Sequence, residues 1–84
     1  TVSSSGDSEN VVRAVRWARK NSCKTISMTG FGGGRTRELA DVNLHVEGDN
    51  YGIVEDVHQS LMHILAQFLR LQRMDSDVIA ERKF

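Results

Sequence analysis

Ser3-Ser4-Ser5-Gly6-Asp7-Ser8-Glu9-Asn10-Val11 is a polar run that passes directly into an apolar pattern with helical spacing. Apolar residues then recur every three or four positions, at Val11, Val12, Ala14, Val15 and Ala18. Residues 3–8, the serine loop, are therefore predicted to precede a helix that ends near Asn21. The side chain of Asp7 or Ser8 is expected to cap this helix by accepting a backbone hydrogen bond.

The serine loop carries hydroxyls at Ser3, Ser4, Ser5 and Ser8, next to the first amides of the predicted helix. Those amides lack intrahelical acceptors and stabilise phosphate, while hydroxyls add donors without net charge. The pattern predicts an anion site, and a polar turn with a serine cap is the alternative on spacing alone. No Gly-x-x-x-x-Gly-Lys sequence is present, so a nucleotide-binding P-loop is not expected.

Strand and helix patterns alternate along the rest of the chain. Residues 24–29 and 41–46 alternate like strands, residues 36–40 fit a short helix, and residues 53–73 have the spacing of one long amphipathic helix. This order predicts an α/β fold with a parallel sheet and helices packed on its faces. The tail, residues 75–84, is expected to form a last helical turn or a frayed end.

Length and charge limit the function classes. A chain of 84 residues makes one small domain, and its 11 basic and 11 acidic residues cancel, so neither nucleic acid nor an anionic membrane is an expected partner. No apolar run is long enough to cross a bilayer. The single cysteine, Cys23, excludes an internal disulfide and is expected to be a small, buried apolar residue, which fits the cytoplasm as the default location.

A second glycine-rich stretch, residues 30–34, follows the first predicted strand and is followed by Arg35. Its spacing is not Gly-x-Gly-x-x-Gly, so a turn of glycines with positive φ is favoured over a dinucleotide site. Arg35 is expected in solvent, with a phosphate contact as the alternative.

The long helix carries a polar stripe of Glu55, Gln59 and His63 at intervals of four residues. Glutamate and histidine bind zinc or exchange protons, but eight residues rise about 12 Å along a helix, so both side chains would have to lean toward a common ion. A solvated or interface-facing stripe is the alternative. His58, at the edge of the apolar face, is expected to be a hydrogen-bonded core histidine.

Taken together, these residues resemble the sugar isomerase (SIS) domain family. The serine loop resembles its Ser-x-Ser-Gly-Asn-Ser phosphate loop. The match continues through Lys24-Thr25-Ile26, Thr29-Gly30, Gly33-Gly34, Leu39-Ala40-Asp41-Val42 and Glu55-Asp56-Val57-His58 with His63, to about Arg73. These later segments are similar to the phosphoheptose isomerase branch. The resemblance implies that residues 1–84 are the C-terminal half of one SIS domain, a flavodoxin-like three-layer α/β sandwich.

The resemblance also implies an activity and a site. Ser3, Ser4, Ser5 and Ser8 would bind the phosphate of a phosphosugar. Glu55 and His63 would stand where the family places zinc ligands and catalytic groups, with His63 as acid/base. The implied reaction is ketose–aldose isomerisation of sedoheptulose 7-phosphate in a homo-oligomer, expected to be a tetramer with active sites between subunits.

The chain also departs from the family pattern. Where many relatives have Arg-Ile-Gln entering the last helix, this chain has Ile53-Val54-Glu55, so the arginine is gone and a neutral ligand has become acidic. The histidine and glutamate of the family's N-terminal half are not among the 84 residues. A noncatalytic SIS module that binds a phosphosugar effector, as a regulator or assembly protein, is therefore the alternative function.

Overall fold

The structure is a computed structural model, which describes residues 1–81. Its elements, in chain order, are α1 (Glu9–Lys20), β1 (Ile26–Thr29), α2 (Gly34–Leu39), β2 (Val42–His45), α3 (Tyr51–Gln72) and α4 (Ser76–Glu81). The predicted α/β class is confirmed. The helix α4 agrees with the first of the two expectations for the tail, and residues 82–84 lie outside the described part.

The two strands pair in parallel, with Ile26 opposite Val42 and Thr29 opposite His45. Residues at the start of the chain add to the other edge of β1: Val2 forms a parallel bridge with Met28, and the Ser3 amide donates to the Met28 carbonyl at 3.0 Å. The sheet is therefore parallel throughout, as the alternation of strands and helices predicts.

The core is small and partly polar. Its buried apolar side chains are Val12, Val15, Met28 and Val54, and the buried polar ones include Ser27, Thr29, Thr36 and His58. Glycine allows close packing at one point, because a Cβ on Gly30 would lie 2.7 Å from Val54 Cγ2. This contact brings the start of α3 against the loop that follows β1.

The helix α3 extends beyond this core. It has 22 residues, so it is about 33 Å long, yet its only buried residues are Val54 and His58. The Cα radius of gyration is 15.3 Å, where a compact chain of this length gives about 12 Å. Large apolar side chains on this helix, Ile64, Phe68 and Leu69, are more than half exposed. The wide apolar stripe is thus left largely uncovered by the rest of the described chain.

One expectation about Cys23 is wrong. The thiol is exposed rather than buried, because Cys23 follows Ser22, whose φ of 58° forms the turn after α1. None of the helices within residues 1–81 combines the length and apolar character that a bilayer crossing requires.

Candidate functional site

The serine loop lies at the carboxyl end of the strand-like residues that precede it. The Ser3 amide still pairs with β1, and the Gly30 amide, just past the end of β1, donates to the Ser4 carbonyl at 2.7 Å. Open α/β sheets bind ligands outside the carboxyl ends of their strands. The loop therefore occupies the position at which this class of fold binds its ligands.

The four hydroxyls of the loop have different environments. The Ser3 side chain is buried, and its Oγ accepts from the Gly6 amide and donates to Ser8 Oγ, both at 3.2 Å. Ser5 Oγ accepts from the Asp7 amide at 3.2 Å. Within residues 1–81, the Ser4 hydroxyl has no hydrogen-bond partner, and the hydroxyl protons of Ser5 and Ser8 are not donated. Ser3 thus shapes the loop, while Ser4, Ser5 and Ser8 keep donors for a ligand.

The expected cap of α1 is wrong. Ser8 occupies the N-cap position, but neither its side chain nor that of Asp7 accepts an amide of this helix. Instead, Asp7 Oδ1 accepts the Arg35 amide at 3.0 Å, and the Gly6 carbonyl accepts the Thr36 amide at 3.0 Å. The loop therefore caps α2 rather than α1. The first amides of α1 are left without a side-chain cap, which is the arrangement that favours an anion.

Arg35 is exposed to solvent, as expected, and is also bound to two carboxylates at the surface. Its Nε lies 3.0 Å from Asp7 Oδ1 and its Nη2 3.2 Å from Glu9 Oε2. The hydrogen bonds from the backbone and then the side chain of Arg35 hold the pKa of Asp7 below its ordinary value. The side-chain hydrogen bonds to Asp7 and then to Glu9 raise the pKa of Arg35 above its ordinary value. The guanidinium therefore offsets two negative charges beside a loop that is expected to bind an anion.

The serine loop packs closely against the second glycine stretch. Gly6, Gly33 and Gly34 all have positive φ, at 70°, 89° and 58°, which confirms the predicted glycine turn. A Cβ on Gly6 would lie 2.5 Å from the Gly33 carbonyl carbon, and one on Gly34 would lie 2.5 Å from the Ser5 oxygen. Glycine is required at this contact for both conformation and space.

The structure brings Ser4 and Glu55 together. Both line a cavity of about 290 Å³ whose other lining residues are Val2, His58, Gln59 and Met62. His63 lies further along α3 and lines a separate, more open cavity of about 430 Å³ with Gln59, Ser60 and Ile64. Of the polar stripe, Glu55 therefore faces the serine loop, His63 does not share that cavity, and Gln59 lies between the two.

His58 is the lining residue whose place in the cavity the sequence did not indicate. Its side chain is 1% exposed and its Nε2 lies 2.9 Å from the Thr29 carbonyl oxygen, so the expected hydrogen-bonded core histidine is confirmed. Its spacing of three residues from Glu55 places both on one face of α3. That spacing was the available signal for its contribution to the site.

The described residues of one chain do not by themselves form a zinc site. Residues 1–81 contain no group of three or more histidine, cysteine, aspartate or glutamate side chains close enough to hold a metal. Glu55 and His63 supply at most two ligands, and zinc sites use three or four from protein.

The chain was compared with known proteins. No protein-family model matches it. Among curated proteins, it is 38% identical over 68 residues to the phosphoheptose isomerase of Aliarcobacter butzleri, a stretch that covers 81% of this chain and 36% of the relative. It is 32% identical over 68 residues to the probable phosphoheptose isomerase of Thermoplasma acidophilum, covering 81% and 37%. It is 35% identical over 69 residues to the phosphoheptose isomerase of Shigella dysenteriae, covering 81% and 36%.

The chain spans just over a third of the length of the curated relatives it matches, and the matched stretch includes four fifths of its own residues. Over four fifths of its residues, this chain is therefore similar in sequence to a part of these phosphoheptose isomerases.

Proposed function

We propose that the protein is a phosphosugar isomerase of the phosphoheptose type, in which residues 1–84 are the C-terminal half of one SIS domain. The observation that carries the proposal is the cavity that Ser4, from the serine loop, and Glu55 share. It combines donors for a dianion with a carboxylate that can exchange protons. The relatives' names supply the reaction type.

The phosphate is proposed to bind at the serine loop. The proposed donors are the hydroxyls of Ser4, Ser5 and Ser8 and the first amides of α1. The ion pair of Arg35 with Asp7 offsets the negative charge of the Asp7 carboxylate beside the loop. Ser3 acts on the ligand through the loop, because its hydroxyl is already used on both sides. Loss of the Ser5 hydroxyl, whose proton is not donated within the loop, should therefore weaken phosphate binding directly.

The sugar is proposed to extend from the phosphate toward Glu55 and His63. In the conversion of sedoheptulose 7-phosphate to an aldose, a base removes a proton from C1 to give an enediol. A proton is then delivered to C2, and the hydroxyl proton passes from O1 to O2. In this proposal Glu55, which lines the cavity with Ser4, moves the carbon-bound proton, and His63 has the acid/base role at the oxygens.

Zinc is a further part of the proposal. Glu55 and His63 would contribute ligands, and the rest would have to come from outside the described residues of one chain. Bound zinc would polarise the carbonyl and stabilise the developing oxyanion. Metal analysis of the purified protein, and activity before and after a chelator, test this separately from the phosphate site.

A homo-oligomer is proposed because α3 exposes large apolar side chains toward its C-terminal end. Ile64, Phe68 and Leu69 are the kind of surface that an obligate interface covers. A tetramer with active sites between subunits would also bring further groups toward Glu55 and His63. The cytoplasm is the proposed location, and the mass in solution by light scattering tests the assembly.

The alternative proposal is a noncatalytic module that binds a phosphosugar as effector. It is favoured by one observation, that Glu55 and His63 line different cavities. Both proposals predict phosphosugar binding, and they differ in turnover.

The deciding experiment gives sedoheptulose 7-phosphate to the complete protein, with and without chelator. Formation of an aldose product supports the isomerase, with Glu55→Gln and His63→Gln expected to reduce kcat. Binding without product, weakened by Ser5→Ala, supports the effector module. The absence of both product and binding contradicts both proposals.

A further inference from the structure

His58 has a hydrogen-bonding state that the geometry defines. Its Nε2 lies 2.9 Å from the Thr29 carbonyl oxygen, and a carbonyl can only accept, so Nε2 carries the proton. In the neutral ring Nδ1 therefore holds a lone pair, and this atom is buried with no hydrogen-bond partner among residues 1–81. A buried acceptor without a partner is unfavourable, so packing alone does not account for a histidine here.

The bond from His58 leads to the serine loop. Thr29 is the last residue of β1, and the next amide, that of Gly30, donates to the Ser4 carbonyl at 2.7 Å. A short path of two hydrogen bonds and one peptide unit thus joins α3 to Ser4. At its two ends, Ser4 and His58 line the same cavity as Glu55.

The buried anchorage of α3 is short. Of its 22 residues only Val54 and His58 are buried. Val54 packs against Gly30 through apolar contact, which sets how closely α3 approaches β1 but allows α3 to shift along its axis. The hydrogen bond from His58 to the end of β1 is directional and opposes such a shift. Glu55 lies between these two residues, so its place relative to Ser4 depends on both.

We propose that His58 is a positioning residue, which holds Glu55 in register with the serine loop through its Nε2 hydrogen bond to the end of β1. The inference rests on the proposed isomerase function. It assigns His58 no contact with the reacting atoms. Its effect is expected in kcat rather than in KM, because the phosphate contacts lie in the loop and the catalytic carboxylate lies on α3.

The test compares His58→Met, which fills the space without a donor, with His58→Gln, whose terminal amide can donate in place of Nε2. Val15→Ala is the matched control, since it removes buried volume from α1, outside the cavity. The complete protein is assayed with sedoheptulose 7-phosphate at a temperature where all four forms are folded. Long-range ¹H–¹⁵N spectra of the unsubstituted protein report the His58 tautomer.

The expected result is a kcat about 10- to 100-fold lower in His58→Met, the size of effect that a displacement of about 1 Å produces, with little change in KM. His58→Gln should recover most of kcat, Val15→Ala should keep it, and the spectra should show the proton on Nε2. An unchanged kcat in His58→Met, a His58→Gln variant as slow as His58→Met, or a proton on Nδ1 would overturn the inference alone. A lack of turnover in the unsubstituted protein would overturn the proposed function, and this inference with it.

Discussion

Replacing Gly6 with alanine should disrupt the contact between the serine loop and the second glycine stretch. Gly6 has a φ of 70°, and the new Cβ would lie 2.5 Å from the Gly33 carbonyl carbon. Carbon atoms pack best at about 3.5–4.0 Å. The three heavy atoms nearest to this Cβ all belong to the backbone of Gly33 and Gly34, so no side chain can rotate away, and the loop itself has to move.

Two costs add in this variant. The left-handed conformation costs a residue with a Cβ about 1–2 kcal/mol, and forced overpacking costs typically about 1–3 kcal/mol. The free energy of unfolding should therefore fall by about 2–5 kcal/mol, a large share of the roughly 4–13 kcal/mol expected for a chain of this length. At a urea m-value of about 1.5 kcal/mol/M, the midpoint would fall by about 1.3–3.3 M.

The assay is urea unfolding followed by circular dichroism, with Gly32→Ala as the matched control. Gly32 lacks positive φ and a Cβ there meets nothing within 4 Å, so its free energy of unfolding should change by less than about 0.5 kcal/mol. If Gly6→Ala unfolds at the same urea concentration as Gly32→Ala, the described packing of the two loops is wrong.

Three further substitutions or reactions have defined outcomes. Asn50→Ala should lower the free energy of unfolding by about 1 kcal/mol, because Asn50 Oδ1 accepts the Ile53 amide at 3.1 Å; thermal unfolding measures this, and Asn50→Asp, which keeps the acceptor, should lose little. The Thr25 amide and hydroxyl hold the pKa of Asp41 below its ordinary value of 3.8. Asp41→Asn should therefore be less stable than the unsubstituted protein at neutral pH, with the difference shrinking as pH falls through the folded-state pKa; a constant difference from pH 7 to pH 2 would contradict this cause. The Cys23 thiol should react with a thiol reagent in native buffer as completely as in denaturant, and protection in native buffer would show that it is covered.

Helices whose bounds depend on residues within the same segment could be predicted from sequence. The helix expected to end near Asn21 has Asn21 as its C-cap, and the one expected over residues 53–73 is α3, Tyr51–Gln72. It begins two residues earlier because the Asn50 side chain caps it. Apolar spacing and capping residues are properties of a short segment, so they can be read before the fold is known.

Elements whose bounds depend on residues distant in sequence were predicted less accurately. The first strand was expected from residue 24 but begins at Ile26, because the Thr25 amide and hydroxyl bind Asp41 instead of continuing the ladder. The helix α2 begins at Gly34, two residues before its predicted start, because Asp7 and the Gly6 carbonyl supply acceptors for its first amides. The sequence showed all the residues involved but not which of them meet.

The candidate site likewise combines features that the local sequence predicts with features that depend on contacts between distant residues. The serine loop and the polar stripe on α3 were predicted from residue type and spacing. The structure added that Ser3 is used inside the loop, that Asp7 caps α2, and that Glu55 rather than His63 shares the cavity with Ser4. The last two of these findings depend on how the serine loop lies against α2 and α3, which a one-dimensional pattern does not contain.

The central claim is that the serine loop binds the phosphate of a sugar phosphate. Calorimetric titration of the complete protein with sedoheptulose 7-phosphate tests it most directly, using Ser5→Ala and, as a control outside the loop, Ser76→Ala. A hydrogen bond to a charged group is worth about 1.5–3 kcal/mol, so Ser5→Ala should bind about 10- to 150-fold more weakly, and Ser76→Ala should bind as the unsubstituted protein does. Undiminished binding by Ser5→Ala, or no binding by the unsubstituted protein, would contradict the claim.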